Sequence, residues 1–114
     1  MRVPDSLFYH RIDIRPVLAV PQPDGTTWGS WATGVAALVV DKDELVVDTR
    51  VGAVTFGAEI ASHSSILMQP ESLPAIGSLI KIYPGTAHER TGTVIRVAYL
   101  EHDIVPNYGQ AWLV

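Results

Sequence analysis

Apolar and polar positions along the chain alternate mainly with the period of a β-strand. In His10–Pro16, Ile12 and Ile14 fall on one face and Arg11, Asp13 and Arg15 on the other, which predicts a half-buried strand. Pro16 should place the end of that strand at a sheet edge, because proline has no amide hydrogen to donate. After Gly34 come two valine-rich runs separated by Asp41, Lys42, Asp43 and Glu44. Such a pattern predicts a hairpin with a charged four-residue tip, its arms buried on both faces because Val39-Val40 and Val46-Val47 leave neither side polar. From Pro74 to Val114, three short β-branched and aromatic runs predict three more strands, the first two forming a hairpin around Pro84, Gly85, His88, Glu89 and Arg90. Ile80 and Ile82 are expected to face Ile95 and Val97 across that pair.

Breaks between these runs carry turn chemistry. Pro21 to Trp31 holds two prolines, Asp24-Gly25 and Gly29, residues that fix or free φ and suit a tight reversal. Gly52 to Gly57 is small, apolar and bracketed by glycines, with Phe56 as its one large side chain. It should be among the less rigid segments. Helix signals are nearly absent: the best candidate, Ala58 to Ser62, is barely one turn long and would not persist alone. The whole reads as an all-β chain, a small, partly open antiparallel barrel of six or seven strands with a projecting hairpin or loop. Residues 1–9 form an N-terminal arm, tied down by Phe8 and Tyr9 or docked on a neighbouring subunit, and residues 10–114 form one domain.

Composition narrows the function classes. The 114 residues are 47% hydrophobic, enough for one core without metals or disulfides. With no cysteine, a disulfide framework or cysteine-based zinc site is excluded. No apolar run approaches the roughly 18 residues needed to span a bilayer, and Met1 to Asp5 lacks a secretory apolar core, so the chain is expected to stay in the cell that makes it. Twelve acids against eight bases give a net charge of -4, which disfavours affinity built on phosphate neutralisation. A mildly acidic surface would let DNA pass without sticking.

Candidate chemistry is sparse. His10, His63, His88 and His102 are scattered without metal-ligand spacing. In Ser62-His63-Ser64-Ser65 the hydroxyls adjoin an imidazole, but neighbours on a strand point to opposite faces, poor geometry for a nucleophile and its base. His102-Asp103 shares the defect. Asp41, Asp43 and Glu44 lack the ligand ladder and central glycine of an EF-hand, no nucleotide-binding glycine motif is present, and no cofactor is expected. Trp28 and Trp31 would either stack on bases or sugars, or cap the barrel and sit in a subunit interface.

The "Ile-Gly-Ser-Leu-Ile" run from Ile76, Arg90-Thr91, "Thr-Val-Ile-Arg-Val" from Thr93, the loop with His102-Asp103 and Pro106, and the final strand resemble the C-terminal half of head-to-tail stopper (head-closure) proteins of long-tailed bacteriophages. The stretch Gly57 to Met68 is similar to that family's middle strand. The Glu101 to Val105 loop and the Pro106 to Gln110 segment depart from the family pattern. The resemblance implies a virion neck subunit, assembled in the host cytoplasm, forming a homo-oligomeric ring expected to be dodecameric. The ring would sit between the adaptor on the portal side and the tail-terminator or other tail proteins, retaining packaged double-stranded DNA without reading its sequence. In such a ring the charged tip (Asp41, Lys42, Asp43, Glu44) and the soft loop (Gly52, Phe56, Gly57) are expected to face the channel or the adjacent ring, with Phe8, Tyr9, Trp28 and Trp31 as interface aromatics. Three other readings stay open. One is a neighbouring neck or tail-completion protein. Another is a single-strand nucleic-acid-binding barrel using Trp28, Trp31, Tyr83 and Tyr99, short of a basic groove. The third is a small hydrolase or carbohydrate-binding module, which lacks usable catalytic spacing.

Overall fold

A computed structural model describes residues 3–18, 28–100 and 107–114. The turn expected around Asp24-Gly25 and the loop from Glu101 to Pro106, with His102, lie outside the described residues. Six strands are described: β1 (His10–Arg15), β2 (Ala32–Val47), β3 (Glu59–Met68), β4 (Leu79–Ile82), β5 (Arg90–Leu100) and β6 (Tyr108–Leu113). Every pairing is antiparallel, and the order β1-β2-β3-β6-β5-β4 closes on itself through β4 and β1. No helix among the described residues is long and apolar enough to cross a membrane.

Closure depends on the two long strands changing partners. β2 pairs with β1 over Ala32 to Ala37 and with β3 over Leu38 to Val47. β5 pairs with β4 over Arg90 to Thr93 and with β6 from Val94 to Leu100. The molecule is therefore two four-stranded sheets that share β2 and β5 at their corners, the arrangement by which orthogonally packed sheets close. Each half of a long strand is paired along one edge, and the expected partly open barrel is instead a ring of six strands that closes through β4 and β1.

The core follows the strand period. Five strands each send an alternate pair inward: Ile12 and Ile14, Ala37 and Val39, Ile66 and Met68, Ile80 and Ile82, Ala111 and Leu113. On β5 the inward residues are Val94 and Val97, three apart instead of two. A register shift between Val94 and Arg96 leaves Ile95 as an extra residue, the signature of a β-bulge. Ile95 is fully buried but stands outside the main cluster, so the expected face shared by Ile95 and Val97 is corrected to one shared by Val94 and Val97.

Other expectations change as well. Asp41 to Glu44 are not a hairpin tip: β2 runs straight through them, with a register shift between Asp41 and Glu44 opposite Ser64 and Ser62. Reversal comes later, at residues 48–58. Nor are the arms buried on both faces, since Leu45 is 71% exposed and Val47 is exposed too. Ala58 to Ser62 is not a helical turn: β3 starts at Glu59, where pairing of Glu59 with Val47 and Ile60 with Val46 overrides local propensity. β1 is not an edge strand, because it pairs with β2 and β4; Pro16 lies just past its end. The described part of the arm is folded onto the domain: Val3 and Phe8 are buried, and Gln69 Nε2 donates to the Val3 carbonyl at 2.7 Å.

Candidate functional site

The segment from Asp48 to Ala58 is built around one carboxylate. Asp48 is fully buried. Its amide donates to the Ala58 carbonyl at 2.9 Å and its carbonyl accepts from the Gly57 amide at 2.8 Å, which closes the loop at its neck. Its carboxylate accepts from the Arg50 amide at 2.9 Å, from Arg50 Nε at 3.1 Å and Nη2 at 2.8 Å, and from the Thr55 hydroxyl. Thr49 ties the neck to β5, its amide and hydroxyl both donating to the Ile95 carbonyl. Gly52 and Gly57 sit at φ of 87° and 83°, conformations that side chains with a Cβ resist. Hydrogen bonds from Arg50 hold the Asp48 carboxyl well below the usual carboxylate range, against the opposing push of burial, with the Thr55 hydroxyl adding to the effect.

This polar clamp faces inward while apolar side chains face out. Val51 is 90% exposed, Val54 fully exposed and Phe56 56% exposed. Burial of apolar surface is worth about 25 cal/mol per Å², so an unconstrained loop would fold these residues inward. Three exposed apolar side chains within six residues of one loop make a candidate docking surface. Further turns from Ala53 to Arg50, Phe56 to Ala53 and Ala58 to Thr55 add hydrogen bonds to the loop.

The four charged residues expected at a hairpin tip occupy the bulge of β2. Asp41 accepts from Ser64 Oγ at 2.9 Å, from Tyr83 Oη at 3.3 Å and from Arg90, which also reaches Ser64 Oγ at 2.7 Å. Burial alone would raise the Asp41 carboxyl, but hydrogen bonding from Ser64 and the charge of Arg90 outweigh it and the net direction is down. Asp43 meets His63 Nδ1 at 2.6 Å and Glu44 accepts from Trp112 Nε1 at 3.4 Å; Lys42 is exposed. The cluster pins β2, β3, β5 and β6 and the β4–β5 turn together. Beside it is a cavity of about 150 Å³ lined by buried Ile82 and Leu113 and by exposed His63 and Arg90. The serines beside His63 bond elsewhere: Ser62 Oγ donates to the carbonyls of Ser64 and Leu113, and Ser65 Oγ accepts from Gln110.

A second face gathers aromatics and cations. Trp28 Nε1 donates to the Gly77 carbonyl at 3.1 Å, and the Arg15 guanidinium lies 6.0 Å from its ring centre while Arg15 Nε donates to the Gly29 carbonyl at 2.9 Å. Lys81 Nζ stands 4.5 Å over the Trp31 ring, within cation–π range. Of the other two aromatics expected at an interface, Tyr9 is 69% exposed, whereas Phe8 is packed inside its own chain and cannot offer its ring to a partner.

The structure thus places Asp41 to Glu44 and Gly52, Phe56 and Gly57 toward the far end of β2, and Trp28 and Trp31 before its start. Sequence reasoning passed over Asp48, Arg50, Thr55, Val51 and Val54, and the cations Arg15 and Lys81. One signal was available: Asp48-Thr49-Arg50 leading into a glycine-bracketed segment, since aspartate commonly caps an amide two residues on. Comparison with protein-family models, with curated proteins and with solved structures finds no match to this chain.

Proposed function

We propose that this chain is a structural subunit of the head-tail connector of a long-tailed bacteriophage, forming a ring in the virion neck that retains packaged DNA and gives the tail a docking surface. The observation that carries the reading is the apolar loop of Val51, Val54 and Phe56, held outward by the buried Asp48 clamp. A chain that fixes apolar side chains in solvent spends its own stability on contact with something else. Support also comes from the strands β3 to β6, which fall on the stretches that resemble stopper proteins. The net charge of -4 suits a channel through which double-stranded DNA slides without specific binding. The partners in this reading are further copies of the chain, a portal-side adaptor and the tail-terminator side.

Particles assembled without this chain should fill with DNA, lose it and carry no tails, as scored by electron microscopy and by nuclease access to the genome. Filled, tailed and infectious particles lacking the chain would overturn the reading. Tail-less particles that keep their DNA would move the chain from the stopper position to a neighbouring tail-completion ring.

A further inference from the structure

Two surfaces near opposite ends of β2 are complementary. β2 has 16 residues, so its ends lie on the order of 50 Å apart along the strand at roughly 3.3 Å per residue, bent within a molecule 43 Å long. Near its start lie Trp28 and Trp31, with Arg15 and Lys81 against their rings. Arg11 is exposed on the adjacent β1, and Asp13 is paired across from Lys81, so among the described residues bases outnumber acids there by three to one. Near the other end, Asp41 is answered by Arg90 and Asp48 by Arg50. Among the described residues that leaves Asp43 (which also meets His63), Glu44 and Glu59 against Lys42 and Arg96. The Arg96 guanidinium lies 5.5 Å from the ring of the Trp112 that bonds Glu44. Acids outnumber bases three to two, beside the exposed apolar residues Leu45, Val51, Val54 and Phe56.

We propose that the loop-bearing end of β2 in one copy docks on the tryptophan and cation face around Trp31 and Lys81 of a second copy. Apolar side chains then meet indole surface, the kind of anchor that dominates interface energetics, while acids meet bases, which sets orientation and rejects the wrong pairing. Pairing of like surfaces is the less favourable arrangement, because net acid would oppose net acid at one end and net base would oppose net base at the other. The contact is therefore heterologous, each copy offering a different surface to each neighbour, and repetition closes a ring when the rotation per subunit is right. The inference rests on the ring reading above and names its contact surfaces. Nucleic acid is the weaker occupant of the tryptophan face: each indole already has a cation near its ring, and three bases make a short electrostatic track.

The test reverses charge on each surface separately in the full chain. One variant carries Arg11→Glu and Lys81→Glu, the other Asp43→Lys and Glu59→Lys, with unchanged circular dichroism and melting as the check on folding. Each alone should sediment as a monomer under conditions where the wild type assembles, and an equimolar mixture should reassemble as alternating copies. Damaged folding cannot produce that recovery. Assembly of either variant like the wild type, or a mixture that stays apart, overturns the pairing while leaving the ring reading in place. A wild type that never assembles overturns both. Quenching of wild-type tryptophan fluorescence by a single-stranded oligonucleotide, lost with Arg11→Glu and Lys81→Glu, would assign the face to nucleic acid and overturn the proposal.

Discussion

The two halves of β2 handle apolar side chains in opposite ways. In the first half Ala37 and Val39 point into an apolar cluster with Ile12, Ile66 and Ile80. At its far end, and in the loop that follows, the carboxylate of Asp48 is buried while Leu45, Val51, Val54 and Phe56 are left in solvent. The first arrangement is what stability alone selects. The second costs stability on both counts, since a buried charge must be fully paired and exposed apolar area forgoes its transfer energy. On the reading proposed above, the first half of the strand serves this chain's own fold, while the far end, where Val46 alone is buried, leads into a docking surface.

Breaking the first half should have the largest effect. Ile66→Ala removes a fully buried side chain at the centre of the cluster and should cost about 2–5 kcal/mol in denaturant unfolding. A smaller loss is expected from Asp48→Asn, on the order of 1.5–3 kcal/mol, the range for hydrogen bonds to a charged group.

That second effect should also depend on pH. The folded Asp48 carboxyl titrates below its unfolded value of about 3.9, so its contribution is complete above that value and is lost as pH falls through the lower, folded one. The stability gap between wild type and Asp48→Asn should therefore hold steady from pH 7 to about 5 and shrink below about 4. A gap that is flat down to pH 2 would mean that the carboxylate is not what holds the loop.

Smaller again is Gly57→Ala, expected to cost about 1 kcal/mol because its φ is positive. No atom crowds the position, so the loss should be conformational and should appear as faster amide exchange confined to residues 48–58.

The contrast between the two halves also explains what was legible in the sequence. Ile12 with Ile14 and Ile80 with Ile82 could be placed on their faces because strict alternation is a local signal, and the all-β class followed from it. The quartet Asp41 to Glu44 misled because the partners of its three acids are distant in the chain: Ser64, Arg90, His63 and Trp112 bond Asp41, Asp43 and Glu44 inside a strand. Four consecutive charges otherwise look like a turn. Ile95 misled for a related reason, since a bulge shifts the period by one residue and nothing in Val94-Ile95-Arg96 announces it. The loop was seen as a glycine-bracketed segment, but its clamp needs Asp48, Arg50 and Thr55 brought together in three dimensions. For Trp28 and Trp31, the chemistry of the face came from Arg15 and Lys81, one on β1 and one on β4, which only strand pairing assembles.

The central claim is that the apolar loop exists for a partner and not for the fold. Val54→Asp tests it most directly, because Val54 is fully exposed and a surface change away from special contacts should alter stability by no more than about 0.5 kcal/mol. Sedimentation velocity of wild type and Val54→Asp, paired with their thermal melts, should show matching melts and an assembled wild type beside a monomeric variant. Matching melts with the same assembled species in both samples would contradict the account, and so would a variant that assembles normally but unfolds several degrees earlier.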